Sequence, residues 1–211
     1  MKRFILLGPP GTGKGTQAVA LCQKLDLSHF ATGDLLRAAI ANQTDVGKAA
    51  KEFMDQGHLV PDQVVIDIIS EAIKTPKAGG FILDGFPRTL PQAEALQKVL
   101  SENNKLINKV IFLDTPDEVI VERLASRRSC KCGAVYNLKS KPPKIADICD
   151  SCGLTLYIRG DDKPETIKVR QERYRQDTKP LIAYYTDAGL LIQISGDGSQ
   201  EEITDLILKL L

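Results

Sequence analysis

Four short apolar runs punctuate the chain: FILL at Phe4–Leu7, FILD at Phe81–Asp84, VIFLD at Val110–Asp114 and LLIQI at Leu190–Ile194. Each is rich in β-formers, the pattern of strands buried on both faces. Between them, apolar residues recur at helical spacing over Gly15–Leu25, Asp62–Ile73, Pro91–Leu100, Pro116–Arg128, Pro164–Ala188 and Gln200–Leu211. Strands alternating with helices predict an α/β chain whose parallel sheet is covered on both faces. Ligands of such sheets sit beyond the carboxyl ends of the strands, so the chemistry is expected after Leu7, Leu83 and Leu113.

Two segments break this rhythm. Thr32–Val60 carries mainly helical signal where one crossover helix would suffice, which predicts a small inserted helical unit. Ser129–Lys163 holds all but one of the cysteines, the pair Pro142 and Pro143, and several Gly and Lys residues. It reads as a hairpin-rich excursion from the core. There is no internal repeat and no low-complexity stretch.

With 211 residues, 43% of them apolar and 26% charged, the chain is long enough for one substantial core plus smaller inserted units. No segment reaches membrane-spanning length, and the apolar run after Met1, Lys2 and Arg3 is too short for a signal peptide. The expectation is a cytoplasmic protein. A net charge of +1 gives no support for broad nucleic-acid or membrane binding, so any positive potential must be local.

The first apolar run leads into GPPGTGKGT, Gly8–Thr16, and then into a helical pattern. Closely spaced glycines let consecutive N–H groups turn inward around phosphate oxygens, and the helix presents its positive end behind them. Lys14 can reach the outer phosphates and Thr16 adds a hydroxyl in the first turn. The general pattern places Ser or Thr directly after the Lys. Here Gly15 intervenes, so magnesium must find a carboxylate elsewhere. Asp84, which opens the strand-end string DGFPR, is the candidate, holding magnesium through its waters; its alternative is a turn-forming Asp before Gly85. Asp114 is read as a loop or capping residue.

Arginines gather at the two edges of the Cys-bearing excursion: Arg123, Arg127 and Arg128 before it, Arg159 and Arg170 after it. Arg123 and Arg127 stand four apart, which on a continuous helix puts them on one face. Guanidinium groups delivered by a hinged lid would stabilise charge on a transferring phosphoryl group and exclude water. Cys130, Cys132, Cys149 and Cys152 read as a four-thiolate structural zinc site, with Gly133 and Gly153 allowing the tight turns. The first pair is CxC, a tighter spacing than the usual CxxC, and paired disulfides are the alternative. Cys22 is expected to be core packing. His29 and His58 have no evident partner, so a His-based mechanism is not expected.

Taken in order, GPPGTGKGT, TGDLLR (Thr32–Arg37), GHLVPD, DGFPRTLPQ (Asp84–Gln92), RLASRR and RGDD (Arg159–Asp162) resemble the adenylate kinases over essentially the whole chain, in the long-lid bacterial form with a metal-binding lid. The resemblance implies the P-loop nucleoside-monophosphate-kinase fold, a parallel five-stranded sheet covered by helices. Its core would take roughly residues 1–30, 61–126 and 165–211, with an AMP-binding insertion at 31–60 and a lid at 127–164. It implies reversible transfer from magnesium ATP to AMP giving two ADP, with Lys14, Arg88, Arg123, Arg127, Arg159 and Arg170 as the charge-stabilising set. Gly11, Thr12, Gly13, Lys14, Gly15, Thr16 and Arg127 would hold the ATP phosphates, with Val135, Tyr136 and Gly198 near its adenine. Thr32, Arg37, His58, Leu59, Val60, Gly85, Phe86, Pro87, Arg88, Gln92, Arg159 and Arg170 would form the AMP side, Gln92 reading the base. The partners implied are ATP, AMP and ADP alone, bound by a monomer.

Three other readings compete. A UMP or CMP kinase shares the phosphate loop and DGFPR but typically has a short lid. A nucleotide-gated binding module would use the Cys knuckle against a partner, although no aromatic and basic run lies near it. GTP could replace ATP as the preferred donor.

Overall fold

The computed structural model describes residues 1–211. Its strands are β1 (Lys2–Leu7), β2 (Ser28–Ala31), β3 (Gly80–Asp84), β4 (Lys109–Asp114), the short pair β5 (Arg127–Ser129) and β6 (Val135–Asn137), and β7 (Leu191–Ser195). Five of them form one parallel sheet in the order β2-β3-β1-β4-β7, and β5 pairs antiparallel with β6. The four apolar runs coincide with β1, β3, β4 and β7. The fifth strand escapes periodicity because SHFA is short and each of its residues is only half-buried at the sheet edge.

Alternation within the strands divides the core. Ile5 and Leu7 of β1 face the layer built by α2 (Thr32–Ala41), α4 (Asp62–Ala72) and α5 (Leu90–Ser101), which follow α1 (Lys14–Leu25) and enclose α3 (Asp45–Asp55). Phe4 and Leu6 face α1 and the C-terminal helix. With both faces covered, the inner strands β1, β3 and β4 bury most of their side chains, as continuous apolar runs require. Cys22 is 9% exposed within the second layer, matching the packing role expected of it.

Residues 32–60 carry the helices α2 and α3, in keeping with their mainly helical signal, and Thr44 caps α3 by accepting the Gly47 N–H. The helical pattern over Pro116–Arg128 does not run its full length. Helix α6 (Asp117–Ala125) stops, and Arg127 and Arg128 instead enter β5, opposite Asn137 and Tyr136. The inference that Arg123 and Arg127 share a helical face is therefore corrected: strand pairing with a segment outside the helix outweighed local periodicity. The excursion that follows is held by β5–β6 and by single bridges such as Ser129 with Tyr157 and Ile148 with Thr155.

The long pattern over Pro164–Ala188 resolves into α7 (Pro164–Arg173), one π-helical turn at Tyr174–Thr178, and α8 (Pro180–Asp187). Pro180 lacks an N–H, and the widened turn accommodates it, with Lys179 N–H donating to Tyr174 O at 2.8 Å. The last helix, α9 (Gln200–Leu210), starts on a Ser199–Glu202 capping box.

Candidate active site

The carboxyl ends of β1 and β3 place the phosphate loop beside Asp84, because Leu6 pairs with Asp84 in register. A Cβ at Gly8 would lie 2.7 Å from Leu113 O, so only glycine lets the loop leave β1 so close to β4. Gly13 (φ +96°) caps α1 in the left-handed region, and no side chain caps that helix. The first N–H groups of α1 are thus left to an anion. Lys14 folds over its own loop, donating to Gly8 O at 2.7 Å and Pro9 O at 2.8 Å. Burial lowers its ammonium to about 7, against the raising effect of Asp84, while Arg88, Arg170 and Arg127 push it down further. Thr12 is buried with an unpartnered hydroxyl, and Thr16 is exposed on the first turn.

Asp84 lies beside the position that lacks the hydroxyl. A Cβ on Gly15 would lie 3.3 Å from Asp84 Oδ2. Burial by itself would raise this carboxyl, but His29, Lys14 and Arg88 outweigh it and hold the group below the usual carboxylate range. His29 was missed as a contributor from sequence: β2 pairs Ala31 with Asp84, and this register brings His29 Nε2 to 3.5 Å from Asp84 Oδ2. No local signal announces such a contact.

Five arginines converge from separate elements. Arg88 donates from Nε to Gly85 O at 2.9 Å, and its own carbonyl accepts the Thr178 hydroxyl at 2.9 Å from the π-helical turn. Arg127 forks onto Asp162, with Nε to Oδ2 at 2.7 Å and Nη2 to Oδ1. Arg170 reaches Asp162 Oδ1 at 3.1 Å and Asp161 Oδ2 at 3.1 Å. Arg159 donates to Ser129 Oγ at 2.7 Å, and Arg37 pairs with Asp34. Burial lowers Arg88 to about 10, helped by the positive charge of Arg170; burial also lowers Arg159 to about 10, helped by Arg127 and Arg37. Lys14 and the five arginines outnumber the carboxylates of Asp34, Asp84, Asp161 and Asp162 among them. Asp161 and Asp162, visible in RGDD but given no role from sequence, are the internal counter-charges.

Arg123 is directed elsewhere: it donates to Gly196 O at 2.9 Å and Thr12 O at 3.4 Å, tying α6 to the phosphate loop and to the loop before Gly198. Arg128 turns back on Ala125 O and Arg127 O. Asp114 has a loop role, accepting Gly196 N–H at 2.6 Å and Gln193 Nε2 at 3.1 Å.

On the other side of Arg88, Gln92 is 1% exposed. Its Oε1 accepts Arg88 N–H at 2.7 Å and its Nε2 donates to Asp62 Oδ1 at 2.7 Å, while Asp62 Oδ2 accepts the Thr89 hydroxyl at 2.9 Å. Asp62 is a second residue that sequence reasoning missed. Thr32 is buried with an unpartnered hydroxyl at the start of α2. His58 and Leu59 are half-buried, whereas Val60, Phe86 and Pro87 are buried.

The four cysteines Cys130, Cys132, Cys149 and Cys152 converge, with all their sulfurs within 4.8 Å of one another. Cys130 and Cys152 stand 3.4 Å apart and Cys132 and Cys149 3.6 Å apart, none of them in a disulfide. Both knuckles turn alike: Gly133 N–H donates to Cys130 O and Gly153 N–H to Cys149 O, at 3.0 and 2.9 Å. The CxC spacing is no obstacle to a tetrahedral thiolate set, and the cluster is compatible with zinc. Val135 is exposed, while the Tyr136 ring is buried against Cys130, Cys149 and Leu156.

The sequence profile of the adenylate kinases matches residues 6–190. The chain belongs to the adenylate kinase family. It is 51% identical to an adenylate kinase of Methanothrix thermoacetophila over 99% of this chain and 97% of the relative. It is 51% identical to one of Caldicellulosiruptor saccharolyticus over 96% and 94%. An Archaeoglobus fulgidus adenylate kinase is 50% identical over 98% of each. As an adenylate kinase, the protein is a nucleoside monophosphate kinase on the P-loop α/β fold, and it carries out reversible phosphoryl transfer between magnesium ATP and AMP to give two ADP. No helix is long and apolar enough to cross a membrane.

Proposed function

We propose that transfer runs in line from ATP seated on Gly11–Thr16 to AMP seated between α2 and the Gly85–Gln92 loop, directly and without a protein nucleophile. The observation that carries this reading is the convergence of Lys14, Asp84 and Arg88 at the ends of two neighbouring strands. Phosphoryl transfer depends mainly on positioning and charge stabilisation, which such a cluster supplies. In this reading residues 31–60 form the AMP-binding insertion, 127–164 the lid, and the remainder the core.

Lys14 leaves the loop carbonyls for the phosphates, and the helix N–H groups cradle them. Asp84 would hold magnesium through its waters, and the ion would supply positive charge to the phosphates. Arg88, Arg159 and Arg170 face the transferred group and the AMP phosphate, with Arg127 over ATP. Arg123 acts by tying the phosphate loop to the loop that carries Gly198. Thr32, Arg37 and His58–Val60 border AMP, and Gln92, with one amide proton still free, reads its base. Val135 and the main chain of Tyr136 border the donor adenine with Gly198. The four cysteines hold a structural zinc that staples a lid too small for its own core. The enzyme works in the cytoplasm, as the absence of a membrane-length or signal segment in the sequence suggests, and as a monomer by the family resemblance.

The deciding experiment is ADP formation from magnesium ATP with AMP, UMP, CMP or GMP as acceptor, alongside Lys14→Ala. Fast turnover confined to AMP and lost in the variant is expected. Preference for a pyrimidine acceptor, or undiminished turnover in Lys14→Ala, overturns the assignment of roles.

A further inference from the structure

The lid contains a polar contact that nucleotide chemistry does not use. Tyr136 is 6% exposed and packs with Cys130, Cys149 and Leu156. Its hydroxyl accepts the Asp150 N–H at 2.8 Å and lies 3.5 Å from Cys149 Sγ. A tyrosine hydroxyl has one proton to give. With Asp150 N–H engaged on the oxygen, that proton points at the sulfur.

We infer that Tyr136 is the outer-shell hydrogen-bond donor of the lid's metal site, fixing the Cys149 thiolate in place for a tetrahedral divalent ion of the zinc class. The inference rests on the reading of the four cysteines as a metal site. Packing alone does not require the hydroxyl, since phenylalanine would fill the same space. The hydroxyl matters because without it Asp150 N–H loses its acceptor and Cys149 its donor, and such partners orient the ligands they touch. The same residue lies in β6, directly opposite Arg128 and next to Asn137, which pairs with Arg127. Tyr136 therefore joins the metal knuckle to the strand pair on which Arg127 stands.

The test compares the full-length protein with Tyr136→Phe and with Tyr157→Phe, a lid tyrosine that is 40% exposed. Zinc affinity is measured by competition with a chromophoric chelator, and the absorption of the cobalt(II)-loaded forms is recorded. Tyr136→Phe is expected to bind zinc about 10- to 100-fold more weakly. Its thiolate-to-cobalt charge-transfer band should move to lower energy, because a thiolate that loses a hydrogen bond gives up charge more readily. Tyr157→Phe should match the unmodified protein on both counts. If Tyr136→Phe fails to fold, uniform replacement of tyrosine by 3-fluorotyrosine keeps the shape and strengthens the donor, and the band should then move to higher energy. Equal zinc affinity and an unmoved band in Tyr136→Phe overturn the inference alone. An unmodified protein that binds no zinc overturns the metal-site reading beneath it.

Discussion

Asp162 holds Arg127 with both carboxylate oxygens while its Oδ1 also accepts from Arg170, and its side chain is fully buried. One carboxylate thus sets the position of two cations that approach from different elements, β5 and α7. Removing its charge leaves the Arg127 guanidinium without a carboxylate partner and Arg170 with Asp161 alone. Asp162→Asn is expected to lower the unfolding free energy by about 3 to 5 kcal/mol and to raise the KM for ATP. Denaturant unfolding with steady-state kinetics checks both, and unchanged stability would show that the pair has no structural weight.

Lys14 should make nucleotide binding consume protons. In the free protein its ammonium is held down to about 7, mainly by burial. Phosphate oxygens favour the charged form and raise that value. Binding therefore takes up a proton above pH 7, and the Lys14 contribution to affinity is full below pH 7 and declines as pH rises above it. Calorimetry of ATP binding at pH 8 in two buffers of different ionisation enthalpy should reveal the uptake, which Lys14→Ala should abolish. Identical heats in both buffers would contradict the assignment. The same variant should reduce kcat by about 100- to 1,000-fold.

Gly15→Ala should separate stability from activity. Alanine is the better helix former by about 1 kcal/mol, yet its Cβ would stand 3.3 Å from Asp84 Oδ2. The carboxylate must shift by a few tenths of an ångström. Thermal unfolding should stay level or rise, while the magnesium concentration for half-maximal rate increases several-fold. Unaltered magnesium dependence would remove Asp84 from the role given to it.

Gln92→Leu should be costly twice over. It leaves Asp62 Oδ1 and the Arg88 N–H without their partner, an expense of about 1 to 3 kcal/mol in stability, and it removes the amide proposed to read the AMP base. KM for AMP should rise with little change for ATP. Asp62→Asn keeps a hydrogen-bonding side chain beside Gln92, so it should show a smaller form of the same split. Equal effects on both nucleotides would argue against a base-reading role.

Much of this protein was written locally. The strand and helix alternation, the glycine loop with Lys14, DGFPR and the clustering of arginines around the Cys segment all depend on neighbours within one or two turns of chain. Such patterns bias backbone conformation directly, and their order sufficed to point to the adenylate kinases. Even the two glycine knuckles of the lid could be anticipated from spacing.

Only the tertiary structure decided which groups meet. The register of β2 against β3 set His29 beside Asp84, and pairing with β6 drew Arg127 out of the helix its periodicity favoured. The fold of the lid brought a CxC pair and a CxxC pair to one point and turned the Tyr136 hydroxyl onto Cys149. The physical reason is the same in each case: a hydrogen bond or ion pair between distant residues depends on how strands align and segments pack, and no local pattern of side chains carries that information.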